Sequence, residues 1–280
     1  MNSFFPEDRL DILARKFHIG PYALASDVEK KNTDYGSFRQ EGDDFVFNNL
    51  PGIKGEVKLL GTLADGGCEK LQSDWFEYSK INTEGVVVPN SRVLYQIMRQ
   101  LYHSRNCTEL QKVVASCVNF FRTNYDASKW RHTGSKVLYK TGLEATIQHL
   151  QHDGSIQATD LDIPEFTRAN DAWSYFVLAP EQLESALGKT NPVQQNAKQV
   201  LEELLGEGYE EAGAVFQYVS SRKNNNLREV YLWTPTTTNR NAERAVVLGV
   251  IINDRFSIMA SAVGPLSGWS TSAQKKFHRK

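Results

Sequence analysis

Cysteine is scarce in this chain: Cys68, Cys107 and Cys117 are the only three in 280 residues. An odd, dispersed set with no C-x-x-C pair excludes a disulfide-stapled scaffold and points to a reducing compartment. An excess of charge of one sign is also lacking, with 32 Lys and Arg against 33 Asp and Glu and a formal net charge of -1. That balance excludes a chain that binds polyanions through overall charge, and equally an acidic tail protein. Long hydrophobic runs are missing too. The longest wholly apolar or glycine stretch, Ala245 to Ile252, falls far short of the roughly 20 residues a bilayer-spanning helix needs, so it reads as a buried strand. Between Met1 and Pro6 there is no basic segment leading into an apolar one, and Glu7, Asp8 and Arg9 follow at once, so no secretion signal is expected. These absences predict a soluble cytoplasmic protein with no membrane partner.

What is present fits an ordinary folded protein, with 40% hydrophobic and 23% charged residues. A chain of this size buries roughly 70% or more of its unfolded surface, so one large domain or two small ones would each support a core. Leu10, Leu13, Ala14 and Phe17 recur at helical spacing before Gly20 and Pro21. From Phe38 to Pro89 the glycine-rich punctuation predicts a small sheet with strands at Asp44 to Phe47, Glu56 to Leu63 and Gly85 to Val88. Asn90 or Ser91 then caps a helix whose apolar stripe runs through Val93, Leu94, Ile97, Met98, Leu101 and Tyr102, with a polar opposite face. Thr108 and Gln111 have the spacing of a capping box before a second helix with Leu110, Val113, Val114, Cys117, Val118 and Phe121 inward. The two helices form an αα-hairpin.

Strands are expected next around Val137 and Tyr139 and on either side of an Asp153-Gly154 hairpin turn, Gly142 to Gln151 having a helical alternative. A strand over Trp173 to Leu178 leads to three helices: one carrying Leu183, Ala186 and Leu187, one opened by Asn191-Pro192, and one carrying Ala212, Val215, Phe216 and Val219. Strands near Glu229 to Trp233, Ala245 to Ile252 and Phe256 to Val263 finish the chain. Blocks of like elements predict an α+β fold, with mixed or antiparallel sheets against which the αα-hairpin and the three-helix segment pack. The polar stretch Asn124 to Gly134 suggests two regions, 1–125 and 126–280, unless the chain is one domain over 1–280.

Four groups of residues carry candidate chemistry. Gly61 to Gly67 has the glycines of a phosphate loop, but Gly67 and Cys68 stand where such a loop needs Lys followed by Ser or Thr, so Asp65-Gly66 reads as a hairpin turn. Cys107 lies at a helix start near His103 and Arg105, a setting that can lower a thiol pKa, although a capping loop explains it equally; Cys117 belongs to a core stripe. His149, His152 and Asp153 supply imidazole and carboxylate ligands of the kind that hold a divalent metal and activate water.

The fourth group is a charge pattern. From Phe121 to Lys140 the bases Arg122, Lys129, Arg131, Lys136 and Lys140 face a single acid, Asp126, with Tyr125, Trp130 and Tyr139 interleaved. Lys275, Lys276, Arg279 and Lys280 repeat the excess at the end. Cations beside aromatic faces suit a polyanion, because ammonium and guanidinium groups neutralise phosphates while rings stack on bases. The leading expectation is therefore a binding or interaction module that needs no cofactor. Its anion-binding surface, Arg122, Lys129, Trp130, Arg131, Lys136 and Lys140, would take nucleic acid or a phosphorylated ligand. The alternative is a metal-dependent hydrolase built on His149, His152 and Asp153. A third reading pairs the basic stretch with the acidic helix carrying Glu202, Glu203, Glu207, Glu210 and Glu211, across a domain interface or between subunits of a homo-oligomer.

Overall fold

Glycine and polar turns between short alternating runs produce two sheets in the computed structural model, which describes residues 36–81, 85–124, 131–140, 144–162, 168–170, 173–178, 192–219, 230–234, 242–251, 255–259 and 272–275. Strands β1 (Ser37–Glu41), β2 (Asp44–Asn48), β3 (Glu56–Leu63) and β4 (Val86–Val87) are joined by β13 (Ser272–Lys275) in an antiparallel sheet of order β1-β2-β3-β13-β4. The larger sheet has eight strands in the order β7-β6-β5-β11-β12-β10-β9-β8. These are β5 (Arg131–Tyr139), β6 (Glu144–Leu150), β7 (Ile156–Asp162), β8 (Arg168–Asn170), β9 (Trp173–Leu178), β10 (Val230–Thr234), β11 (Ala242–Ile251) and β12 (Arg255–Met259). Among the described residues only β10 and β12 run parallel, so the sheet is mixed and the fold is α+β. Glu144–Leu150, within the stretch for which a helix was the alternative, form β6.

Five α-helices lie among the described residues: α1 (Gln72–Ile81), α2 (Ser91–His103), α3 (Gln111–Asn124), α4 (Pro192–Leu205) and α5 (Ala212–Val219). Helix α2 is the central one. Asn90 caps it, its Oδ1 accepting from the Val93 N–H at 2.9 Å, and Leu94, Ile97, Met98 and Leu101 are fully buried. Each such side chain contributes roughly 1.5–3 kcal/mol of apolar burial. Helices α3, α4 and α5 pack against α2, and Tyr95 meets Phe216 edge to face at 5.6 Å. The main apolar cluster joins side chains from both sides of residue 125, with Phe47, Leu59 and Phe121 in the same body as Ile147, Leu204 and Val246. The helices expected at residues 10–17 and 183–187 lie outside the described residues.

Three local expectations are corrected. Helix α1 falls inside the stretch read as sheet alone. Its short apolar set forms no long stripe, and burial of Trp75 and Phe76, with Ser79 Oγ donating to the Trp75 carbonyl at 2.9 Å and accepting from Val88 N–H at 3.0 Å, fastens it in place. Asp65-Gly66 does not join two strands: both residues take positive φ in a 3-10 turn between β3 and α1. The capping box at Thr108 and Gln111 does not form either. Thr108–Leu110 is a 3-10 turn without a side-chain cap, and the Cys107 carbonyl accepts the Leu110 N–H at 3.1 Å.

Candidate functional site

The polar face of α2 is covered by the end of α4 and the turn after it, and this contact builds the site. Gly206 ends α4 at φ +81°, a left-handed backbone that glycine accepts without a Cβ penalty, and its N–H donates to the Glu202 carbonyl at 2.7 Å. The carbonyls exposed beyond that point are taken up by α2. Gln96 Nε2 donates to Leu205 O at 3.1 Å and Glu207 O at 2.7 Å, Arg92 Nε donates to Glu203 O at 2.6 Å, and Tyr95 OH donates to Gly208 O.

Beneath this contact lies a buried polar relay. Gly134 in β5 lets the backbone approach residues 88–90: its N–H donates to Pro89 O at 2.8 Å, and a Cβ there would fall 2.5 Å from Val88 O. The approach brings the Ser91 N–H within 3.0 Å of Ser135 Oγ, which lies 2.6 Å from His149 Nδ1. His149 Nε2 is 2.9 Å from the Glu203 carbonyl oxygen and 3.5 Å from its carboxylate. Ser91 Oγ donates to Leu204 O at 2.6 Å. A carbonyl can only accept, so Nε2 carries a proton; with burial disfavouring the charged ring, Nδ1 is then the acceptor of the Ser135 hydroxyl. Burial pushes the His149 pKa down, Arg92 adds to that, and Glu203 opposes it. Serine, histidine and glutamate occur here in the order of a nucleophile, a base and its orienting acid. Ser91, Ser135 and His149 are nevertheless 0% exposed, so the relay fastens α4 to α2 and β5 and offers no substrate a path to Ser135 Oγ.

Above the relay opens a cleft of about 810 Å3 between α2, α4, β7 and residues 51–53. Glu202, Glu203 and Glu207 line it with Arg92, and Asp160 and Asp162 of β7 border it, the Asp160 carboxylate being paired with Lys140. Arg92 is already engaged with the Glu203 carboxylate at 2.6 Å. Burial opposes ionisation of Glu203, but His149, Arg92 and Thr159 outweigh it and hold its carboxyl below the ordinary value. Farther along α2, Arg99 bonds the Glu211 carboxylate and His103 Nε2 lies 2.9 Å from it. Burial raises the Glu211 pKa, and His103 and Arg99 reverse the shift to a net lowering.

The basic residues expected to form an anion surface are distributed among separate partners. Lys136 pairs with Glu243 at 3.0 Å and lies 5.3 Å from the Phe76 ring centroid. Lys140 pairs with Asp160 at 2.9 Å, and Arg122 donates to the Tyr218 carbonyl at 3.1 Å. Arg131 is half-buried in β5, and Lys129 and Trp130 lie outside the described residues. Of the residues considered for a metal, His149 has both nitrogens engaged in the relay. His152 and Asp153 sit in the β6–β7 turn, where Asp153 accepts from Ser155 N–H at 2.9 Å and Oγ at 2.6 Å. Among the described residues no group of three or more His, Cys, Asp or Glu gathers as a metal site, so the three do not converge. Cys107 is half-buried, Cys117 is in the core with burial raising its thiol pKa, and no helix among the described residues is long and apolar enough to cross a membrane.

The pairing of Ser135 with His149 is a register effect. They are directly opposed in β5 and β6, on the same inward face as Val137, Tyr139, Ala145 and Ile147. Two adjacent alternating runs, each with a polar residue on its apolar face, were the available signal. No protein-family model, curated protein or solved structure matches the chain.

Proposed function

We propose that the chain is a binding module whose partner is cationic and enters the cleft between α4 and β7. The carrying observation is the acidic rim that Glu202 and Glu207 give that cleft after Arg92 has been neutralised by Glu203 and Asp160 by Lys140. Glu202 and Glu207 are exposed, so their charges face an incoming ligand. Fields inside a concave wall steer counter-charged partners and weaken as salt rises.

The test is titration of fluorescent oligolysine and spermine across a salt series, with the Glu202→Gln, Glu207→Gln double variant beside the parent. The expected result is binding at low salt that weakens by about tenfold or more towards 0.5 M, and by a similar factor in the variant. No binding at low salt, or equal binding by the variant, would overturn the reading. A second reading, favoured by the five bases between Phe121 and Lys140, places a polyanion on that stretch. A single-stranded oligonucleotide that binds and is released by alanine at Lys129, Arg131 and Lys136 would move the function there.

A further inference from the structure

Strand β7 forms one edge of the eight-stranded sheet and pairs with β6 over all seven residues without a register shift. Among the described residues no strand lies on its other side, and five of its seven residues are exposed. Proteins blunt such edges by shortening them or by placing proline, lysine or a bulge on them. Here β8 is three residues long and β1 carries the Arg39, Glu41, Glu56 and Lys58 ion network, whereas β7 (IQATDLD) has seven residues with no proline, lysine or bulge, and its charges, Asp160 and Asp162, are acidic only.

The direction of its free groups follows from the ladder. The Gln151 N–H donates to Ser155 O, and the Lys140 N–H to Glu144 O. In an antiparallel ladder these bonds alternate, so Gln157, Thr159 and Leu161 turn their amides towards β6. Ile156, Ala158, Asp160 and Asp162 turn theirs outward. Side chains alternate too. Thr159 lines the cleft beside Glu203 and Leu161 packs on the main core from the same face, while Asp160 meets Thr146 and Lys140 on the opposite face. The open edge and the acidic cleft therefore adjoin.

We propose that the partner is an extended basic peptide that adds to β7 as a further strand and points alternate Lys or Arg side chains into the cleft; this rests on the cationic-partner reading above. Main-chain bonds to residues 156, 158, 160 and 162 supply the docking, and Glu202 and Glu207 select the charge. The added strand runs antiparallel to β7, so its residues whose amides face β7 share a face with Ala158 and the cleft-facing cations are the residues between them.

The probe is an acetylated, amidated heptapeptide alternating lysine with valine, in three forms: unmodified, N-methylated on its valine amides, and N-methylated on its lysine amides. All three carry the same charge. Methylation of the valine amides is expected to weaken binding by about tenfold or more, and methylation of the lysine amides by about twofold or less. Ala158→Pro, which removes an outward amide and leaves the β6 ladder intact, is expected to act on the protein side as valine methylation does on the peptide. If the unmodified peptide binds but the two methylated forms bind alike, strand addition is overturned and the cleft reading survives. If the unmodified peptide does not bind at low salt, the cleft reading falls and this one with it.

Discussion

The two ends of α2 hold the same stretch of chain, residues 203–211, by opposite means. At the N-terminal end the contact is buried and uncharged at its centre: Ser91, Ser135 and neutral His149 reach the backbone carbonyls of Glu203 and Leu204. At the C-terminal end it is ionic and half open, with Arg99 and His103 on the Glu211 carboxylate. Histidine occurs in both, in different surroundings. No water reaches His149, so desolvation dominates, whereas His103 sits against a carboxylate that keeps its own charge. Position along one helix thus separates a contact that depends on geometry from one that depends on ionisation.

Three substitutions or conditions test this contrast, in descending order of effect. His149→Ala leaves a cavity and removes one buried partner each from the Ser135 hydroxyl, which keeps Ser91, and the Glu203 carbonyl, which keeps Arg92, so denaturant unfolding should show a loss of about 3 kcal/mol. A loss below about 1 kcal/mol would mean that the relay contributes little. Arg99→Ala removes one cation from a partly exposed carboxylate that keeps His103, and about 2 kcal/mol is expected; raising the salt should shrink the difference between Arg99→Ala and the parent, but not that for His149→Ala.

The smallest effect is in the pH profile. His149 has a depressed folded pKa, so the unfolded chain takes up its proton first and stability falls as pH drops below about 6.5, with a slope under about 1.4 kcal/mol per unit. Glu211 is also depressed, but its contribution is present above its ordinary value near 4.5 and is lost only as pH falls below that. Melting temperatures should therefore fall in two windows, and His149→Gln should flatten the upper one alone. A profile unchanged between pH 6.5 and 5 by that substitution would break the distinction.

Much of the scaffold was legible because it is periodic. Glu56–Leu63 and Trp173–Leu178 coincide with their expected strands, and the Asn90 cap and the stripe of α2 are where spacing put them. The polar side of α2 was legible only as polar. Gln96, Arg99 and Gln100 look like a solvated face, yet they are buried, because residues 203–211 fold onto them from more than a hundred positions away. The same long-range step hid the site. Lysine and arginine counts along Phe121 to Lys140 cannot reveal that Glu243 and Asp160 will arrive as partners from neighbouring strands. Nor can the spacing of His149, His152 and Asp153 show that one of them turns inward while the others stay in the hairpin turn.

Strand β13 sits between β3 and β4, more than 180 residues from either in sequence, and among the described residues is the sole neighbour of β4 in the sheet. During synthesis the first three strands can associate as soon as they leave the ribosome, but the small sheet stays unfinished until residue 275 has emerged. The edge of β3 therefore stays open while more than 200 further residues are made, and the sheet is completed by closing a very large loop, a non-local pairing of the kind that slows folding.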